Sequence, residues 1–402
     1  MRPPAGLTYY KINDRTAARS APAGCRRRHP CGGPGRRHPG SPALPPHGAA
    51  PMAYLGVIEG FYGRSWGDER RRALAGFLRD SGYRFYIYAP KEDRTLRTRS
   101  FAPLPPGSLR ALRELCAHYQ GLGLDFGLGL SPLGLSGSYP DQRADFLAYA
   151  RTLQAEVAPD LFCLLFDDMK LCGEDMGARQ RRIIEDLAAQ LGGGQRLIVC
   201  PSYYSLDPVL DRVFGPRPAA YFQELLAGLD ERIDVFWTGP QVLSPDLTPA
   251  DLEQAAALLG RQPFIWDNYP VNDGKRISRF IRLRPFRGRT NLEGLCRGHA
   301  VNPMLEFELS QIPLCTLPLI YAGAGRPAVE QAWREAFARR LGSFDDPEHV
   351  CRLLCDVGLD QMQEGDLAYL RAHCDPAQGC GREILDFLSG VYAFDPACLT
   401  DT

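Results

Sequence analysis

From Ala53 onward, short apolar runs alternate with stretches whose apolar positions recur at helical spacing. The runs occupy 53–60 (AYLGVIEG), 84–90 (RFYIYAP), 125–132 (DFGLGLSP), 161–168 (LFCLLFDD), 196–202 (RLIVCPS), 233–239 (IDVFWTG), 263–269 (PFIWDNY) and 298–303 (GHAVNP). The run from Leu161 is too short to span a membrane and reads as a strand buried on both faces, as in a parallel sheet. Between the runs, 68–80, 108–119, 142–156, 178–191 and 249–259 show helical spacing with polar faces, the last opening after Thr248 as N-cap. Eight strands alternating with helices over roughly 250 residues predict an α/β fold, a (β/α)8 TIM barrel. A doubly wound open sheet is the alternative, but it usually has fewer strands and a Gly-rich phosphate loop after the first. Gly60-Phe61-Tyr62-Gly63 follows the first run without GxGxxG spacing.

After Tyr321 the strand pattern stops. Residues 328–342, 347–356 and 364–390 read as amphipathic helices, a small C-terminal helical appendage on the barrel. At the other end, residues 1 to about 50 are rich in Arg, Pro, Gly and Ala without periodicity, so a disordered tail is expected and Met52 is the natural first residue of a compact domain. The predicted organisation is a tail at 1–51, a catalytic barrel at 52–322 and a helical region at 323–402.

Composition narrows the function classes. Lys plus Arg and Asp plus Glu both number 47, so net charge gives no reason to expect nucleic acid or an acidic membrane surface as partner. No apolar stretch is long enough for a bilayer and the N-terminus shows no apolar signal core; a cytoplasmic protein is expected. The 13 cysteines are odd in number and scattered through predicted elements, unlike a disulfide framework. Cys351/Cys355 and Cys374/Cys380 have no histidines at ligand spacing, so reduced thiols are expected and no metal.

Function in such a barrel collects at the C-terminal ends of the strands. There the chain presents Glu59-Gly60-Phe61-Tyr62, Lys91, Asp167-Asp168, Tyr203-Tyr204, Trp237-Thr238, Trp266-Asp267-Asn268, Asp273 and Asn302. Carboxylates and amides serve sugar hydroxyls, and aromatic faces cover the apolar side of a pyranose ring. The adjacent pair Asp167-Asp168 would enter one pocket from different directions, each feeling the other's charge, so that their proton affinities split as acid/base chemistry requires. Alone, such a pair also suits a solvated turn or a helix N-cap. Neither a metal-spaced cluster nor a Gly-x-Ser-x-Gly elbow is present, which leaves a two-carboxylate glycosidase and no cofactor.

The segments GVIEGFYGRSW (56–66), YIYAPKED (86–93), LLFDDM (164–169), VCPSYY (199–204), FWTGPQV (236–242), IWDNYPVND (265–273) and AVNPMLEFE (300–308) resemble, in order, the motifs of glycoside hydrolase family 84. That family contains protein O-GlcNAcases and bacterial β-N-acetylglucosaminidases, some labelled hyaluronidases. The resemblance implies a retaining exo-β-N-acetylglucosaminidase acting on β-linked GlcNAc glycoconjugates or O-GlcNAc-modified proteins. Attack would come from the substrate's own 2-acetamido oxygen, through an oxazoline. It further implies that Asp167 accepts the acetamide N–H and that Asp168 is the general acid and then base. Gly60, Lys91, Asn268, Asp273 and Asn302 would hold the sugar. Tyr204, backed by Trp266 and Cys200 and flanked by Tyr62, would line the acetamide pocket. The alternatives are an endo-acting glycosaminoglycan hydrolase and a catalytically silent GlcNAc-binding barrel. Two departures stand out: Glu92 replaces a shorter acid, and RTLRTRSFAPLPP replaces the family's usual Trp-Arg-Glu after the lysine motif, bordering the aglycone region. The long helical stalk and acetyltransferase-like domain of the large animal enzymes find no counterpart in this sequence.

Overall fold

The computed structural model describes residues 53–170, 173–391 and 394–401. The tail expected at 1–51 lies outside them. Among the described residues nine strands run in one direction: β1 (Leu55–Glu59), β2 (Phe85–Tyr88), β3 (Arg97–Thr98), β4 (Asp125–Pro132), β5 (Leu161–Leu165), β6 (Arg196–Cys200), β7 (Asp234–Trp237), β8 (Phe264–Asp267) and β9 (Gly298–Val301). Eight of them close on themselves. β1 pairs with both β2 and β9, the ladder continues through β8, β7, β6 and β5 to β4, and β4 pairs back with β2. This is the expected (β/α)8 barrel, and β3 is a two-residue addition on the end of β4, with Arg97 opposite Ser131.

Burial explains why the strands read as continuous apolar runs. All five residues of β5 are buried, facing side chains inside the barrel on one side and helices on the other. The outer layer is α1 (Asp68–Ser81), α2 (Pro106–Gly121), α3 (Leu135–Val157), α4 (Met176–Leu191), α5 (Pro208–Phe214), α6 (Tyr221–Leu226), α7 (Pro249–Leu259), α8 (Phe307–Leu314) and α9 (Leu317–Tyr321). Thr248 does cap α7, in a reciprocal capping box with Asp251. α3 starts seven residues before the predicted 142, because the chain stays helical past a kink at Ser138 and accommodates Pro140 close to the start, where a missing N–H costs little.

Beyond the barrel come α10 (Arg326–Leu341), α11 (Pro347–Cys351) with a wider-wound turn at Arg352–Val357, α12 (Glu364–His373) and α13 (Gly379–Leu388). The single helix expected over 364–390 is therefore two. The break falls at 374–378, where Pro376 removes a backbone donor and the Asp375 side chain instead accepts from the N–H of Ala377. These helices share the barrel's apolar core. Glu383 of α13 reaches under α8 and accepts from the N–H groups of Glu308 (3.0 Å) and Leu309 (3.0 Å), filling orphan donors at that helix start. Trp333 of α10 donates to the Leu283 carbonyl at 2.6 Å.

Beneath the top face lies a buried ion pair. Asp267, at the end of β8, accepts from Arg289 Nε and Nη2, both at 2.9 Å, and meets His299 Nε2 at 3.1 Å. Burial works against its charge, but Arg289 and then His299 hold its carboxyl well below the usual range. Removing one partner of such a pair leaves an uncompensated charge, so Arg289→Ala should lower unfolding free energy by about 3–5 kcal/mol. Because the folded pKa lies below the unfolded value of about 3.9, this contribution is complete at neutral pH and fades as acid titrates Asp267. Denaturant unfolding at pH 7 checks it; a loss under about 1 kcal/mol would mean that the pair contributes little.

Candidate active site

The loop after β1 is held from below. Glu59, the last residue of that strand, is fully buried and accepts from Arg71 Nε and Nη2, both at 2.8 Å, from the Trp66 N–H at 3.1 Å and from the Tyr86 hydroxyl. This clamp fixes both ends of the 60–66 segment, so Gly60 and Tyr62 arrive at the pocket in a set geometry. A side chain at Gly60 would displace its neighbour, because its Cβ would lie 2.6 Å from the Trp266 ring. Glu92 also serves this loop, accepting from the Ser65 N–H at 2.9 Å.

The two central carboxylates differ in setting although they are neighbours in sequence. At Asp168 the backbone turns left-handed, with φ of 57°. Asp is one of the few residues that tolerate this conformation, and such outliers gather at functional sites. Asp167 is 7% exposed; its Oδ2 is paired with Lys91 Nζ, and its Oδ1 is buried with no partner among the described residues. Asp168 accepts from the Tyr62 hydroxyl at 2.7 Å through Oδ2 and from the Tyr204 hydroxyl at 3.0 Å through Oδ1. Burial and the charge of Asp167 raise its pKa, against the opposing effects of Lys91 and the two tyrosine hydroxyls. Lys91 lies 5.5 Å from the Tyr62 ring centroid and 5.8 Å from that of Trp266. Its burial opposes the ammonium form, yet Asp167 and Asp168 prevail and raise its pKa.

On the opposite side runs an amide chain. Asn302 Nδ2 donates to Asn268 Oδ1 at 3.0 Å, Trp266 Nε1 donates to the same oxygen at 2.9 Å, and the Gly60 N–H donates to Asn302 Oδ1 at 3.3 Å. Asp273 Oδ2 accepts the Tyr62 N–H at 2.7 Å. Burial, and beyond it the Asp168 charge, push the Asp273 carboxyl up to about 7. Cys200, at the end of β6, is buried and its thiol is pushed well up, first by burial and then by Asp167.

The eleven residues to which the resemblance gave roles line one pocket: Gly60, Tyr62, Lys91, Asp167, Asp168, Cys200, Tyr204, Trp266, Asn268, Asp273 and Asn302; of the other strand-end residues Thr238 joins them, while Glu59, Phe61, Tyr203, Trp237 and Asp267 lie outside the lining. Val242, Val271 and Ile277 supply apolar wall, and Cys398, Thr400 and Asp401 arrive from the far end of the chain. Sequence reasoning missed that last group. The clamps Glu59 and Asp267 were visible only as charges closing apolar runs. Among the described residues no group of three or more His, Cys, Asp or Glu could hold a metal ion, and no helix is long and apolar enough to cross a membrane.

A model of the β-N-acetylglucosaminidase family matches residues 55–353, which contain the whole barrel and every strand-end group described above. The chain belongs to that family. It is thus a member of glycoside hydrolase family 84, as the motif order implied. It is 30% identical over 288 residues to the protein O-GlcNAcases of Mus musculus and Rattus norvegicus, a match covering 68% of this chain. The chain spans 30% of the length of those relatives. A solved mutant of the Thermobaculum terrenum O-GlcNAc hydrolase superposes with a TM-score of 0.64 at 26% identity, covering 84% of this chain and 72% of that one. The loop after Lys91 is held by β3, which sets Arg97 Nη2 3.3 Å from the Tyr62 hydroxyl.

The electrostatics of this family member can be read without turnover. In a carboxyl-carbon NMR titration, Asp167→Asn should lower the pKa of Asp168 and Lys91→Met should raise it, because the two neighbours act with opposite sign. An Asp168 pKa that moves in neither variant would show that burial alone sets the value.

Proposed function

We propose that this chain is a retaining exo-β-N-acetylglucosaminidase. It removes terminal β-linked GlcNAc, including O-GlcNAc from protein Ser or Thr, by substrate-assisted catalysis. The observation that carries this reading is the buried Oδ1 of Asp167, without a partner among the described residues, beside a second carboxyl with a raised pKa. A buried acceptor without a donor is costly, and a substrate N–H would satisfy it. In the proposed reaction the acetamide N–H donates to Asp167, which orients the acetamide and balances the positive charge that develops on it. The acetamide oxygen attacks the anomeric carbon as the glycosidic bond breaks, and Asp168 transfers its proton to the departing oxygen. The intermediate is an oxazoline that still carries the N–H proton, its positive charge balanced by Asp167. Asp168, now a carboxylate, takes a proton from water as that water opens the ring, which restores both the acid and the β-configuration.

Lys91, paired with Asp167, holds that side chain in place. Tyr204 and Tyr62 steer the Asp168 carboxyl through their hydroxyls. Asp273, Asn268 and Asn302 take the sugar hydroxyls, and Trp266 closes the acetamide pocket with Cys200 behind it. The ten free cysteines among the described residues suit a reducing compartment such as the cytosol.

Two sets of variants test the roles. Asp168→Asn should lower kcat/KM by about 10²–10⁴-fold on a Ser-linked sugar and nearly spare a dinitrophenyl glycoside, whose leaving group departs without a proton. Asp167→Asn should slow both substrates alike. A plot of log kcat/KM against leaving-group pKa separates the two, and a steepened slope for Asp167→Asn instead would reverse the assignment. Asp273→Ala should cost about 1.5–3 kcal/mol of transition-state stabilisation, as for a hydrogen bond to a charged group. Release of internal fragments from a long polymer by the wild type would count against the exo pocket.

A further inference from the structure

The stretch 394–401 leaves the helical region and returns to the pocket. Its anchor is Asp401, 2% exposed, whose carboxylate accepts from the N–H groups of Arg276 and Ile277, each at 2.8 Å, and pairs with the Arg276 guanidinium at 2.9 Å. The seat for this anchor is Gly274, where a Cβ would lie 2.4 Å from the Asp401 side chain. Gly274 directly follows Asp273. The anchor thus pins the loop that carries the proposed sugar-binding carboxylate and the terminal stretch to each other.

This docking delivers Cys398 and Thr400 to the pocket wall. Cys398 is 7% exposed, and its Sγ lies 4.0 Å from Asp273 Oδ1, the carboxylate oxygen that the Tyr62 N–H leaves free. Burial, then Asp273 and Asp168, keep this thiol neutral, so it remains a weak donor to Asp273 and never a competing charge.

We propose that residues 398–401 form a wall of the sugar subsite and set its specificity for an unsubstituted non-reducing end. Cys398 and Thr400 stand where a substituent on the hydroxyls held by Asp273 would extend, and Asp401 is the positioning residue that keeps them there. This rests on the N-acetylglucosaminidase reading of the site. It adds to Asp273 a steric determinant contributed from more than a hundred residues away in the chain. The helical region is then part of the substrate site through its last residues.

The test compares the full-length wild type, Cys398→Ala, Cys398→Phe and Asp401→Ala on 4-nitrophenyl N-acetyl-β-glucosaminide and on its 4-O-methyl and 6-O-methyl ethers. The readout is the ratio of kcat/KM for ether to that for parent, with thermal unfolding recorded for each variant. Opening the wall with Cys398→Ala, or releasing it with Asp401→Ala, should raise this ratio for at least one ether by about 10-fold or more, the range for one methylene in a shaped pocket. Cys398→Phe should raise KM for the parent glycoside. Unchanged ratios in both opening variants, or a Cys398→Phe enzyme with wild-type KM, would overturn the wall. Absence of turnover of the parent glycoside by the wild type would instead overturn the functional reading, and this inference with it.

Discussion

Placing two carboxyl groups on consecutive residues in one largely buried pocket is electrostatically costly, and the site is arranged around that constraint. Two like charges so close will not both persist unless a cation intervenes. Lys91 provides it on the Asp167 side, while Asp168 has a raised pKa and two tyrosine hydroxyls to orient it. The left-handed turn at Asp168 lets neighbouring side chains enter the pocket from different directions. The pair is therefore divided by its surroundings, since the residue types are identical.

The barrel supplies the rigidity that this division needs. Most pocket residues up to Asn302 sit at or just beyond the C-terminal end of a parallel strand, and buried polar clamps hold those ends from below. Glu59 fixes the first loop through Arg71 and Trp66; Asp267 fixes the base of the amide chain through Arg289 and His299. These clamps do no chemistry in the proposed mechanism. They keep Gly60, Asn268 and Asn302 within hydrogen-bonding reach of one another, and a shift of 1 Å there would be felt in catalysis.

Much of this was legible in the sequence for a physical reason. Strands buried on both faces leave unbroken apolar runs, and in a barrel the residue that ends such a run stands at the working face, so strand ends and pocket could be read together. The motif resemblance then supplied expected roles for residues that the pattern alone only gathered. Where local periodicity is weak, the reading lost accuracy. The early start of α3 was hidden by Pro140, and the division of 364–390 into α12 and α13 is decided by Pro376 inside an otherwise helical pattern. The return of Cys398 and Asp401 to the pocket left no local signal at all. It depends on a seat at Gly274, whose meaning is a contact distant in the chain.

The central claim is that the nucleophile belongs to the substrate and that Asp167 serves it. The most direct test is kcat/KM for a series of aryl glycosides whose N-acyl group carries zero, one, two or three fluorines. Fluorine withdraws electron density from the acyl oxygen and weakens it as a nucleophile while changing the group's size little. The account predicts a progressive fall in kcat/KM with each fluorine for the wild type. A series that stays level would contradict it, because an enzyme carboxylate attacking the anomeric carbon would be indifferent to that oxygen.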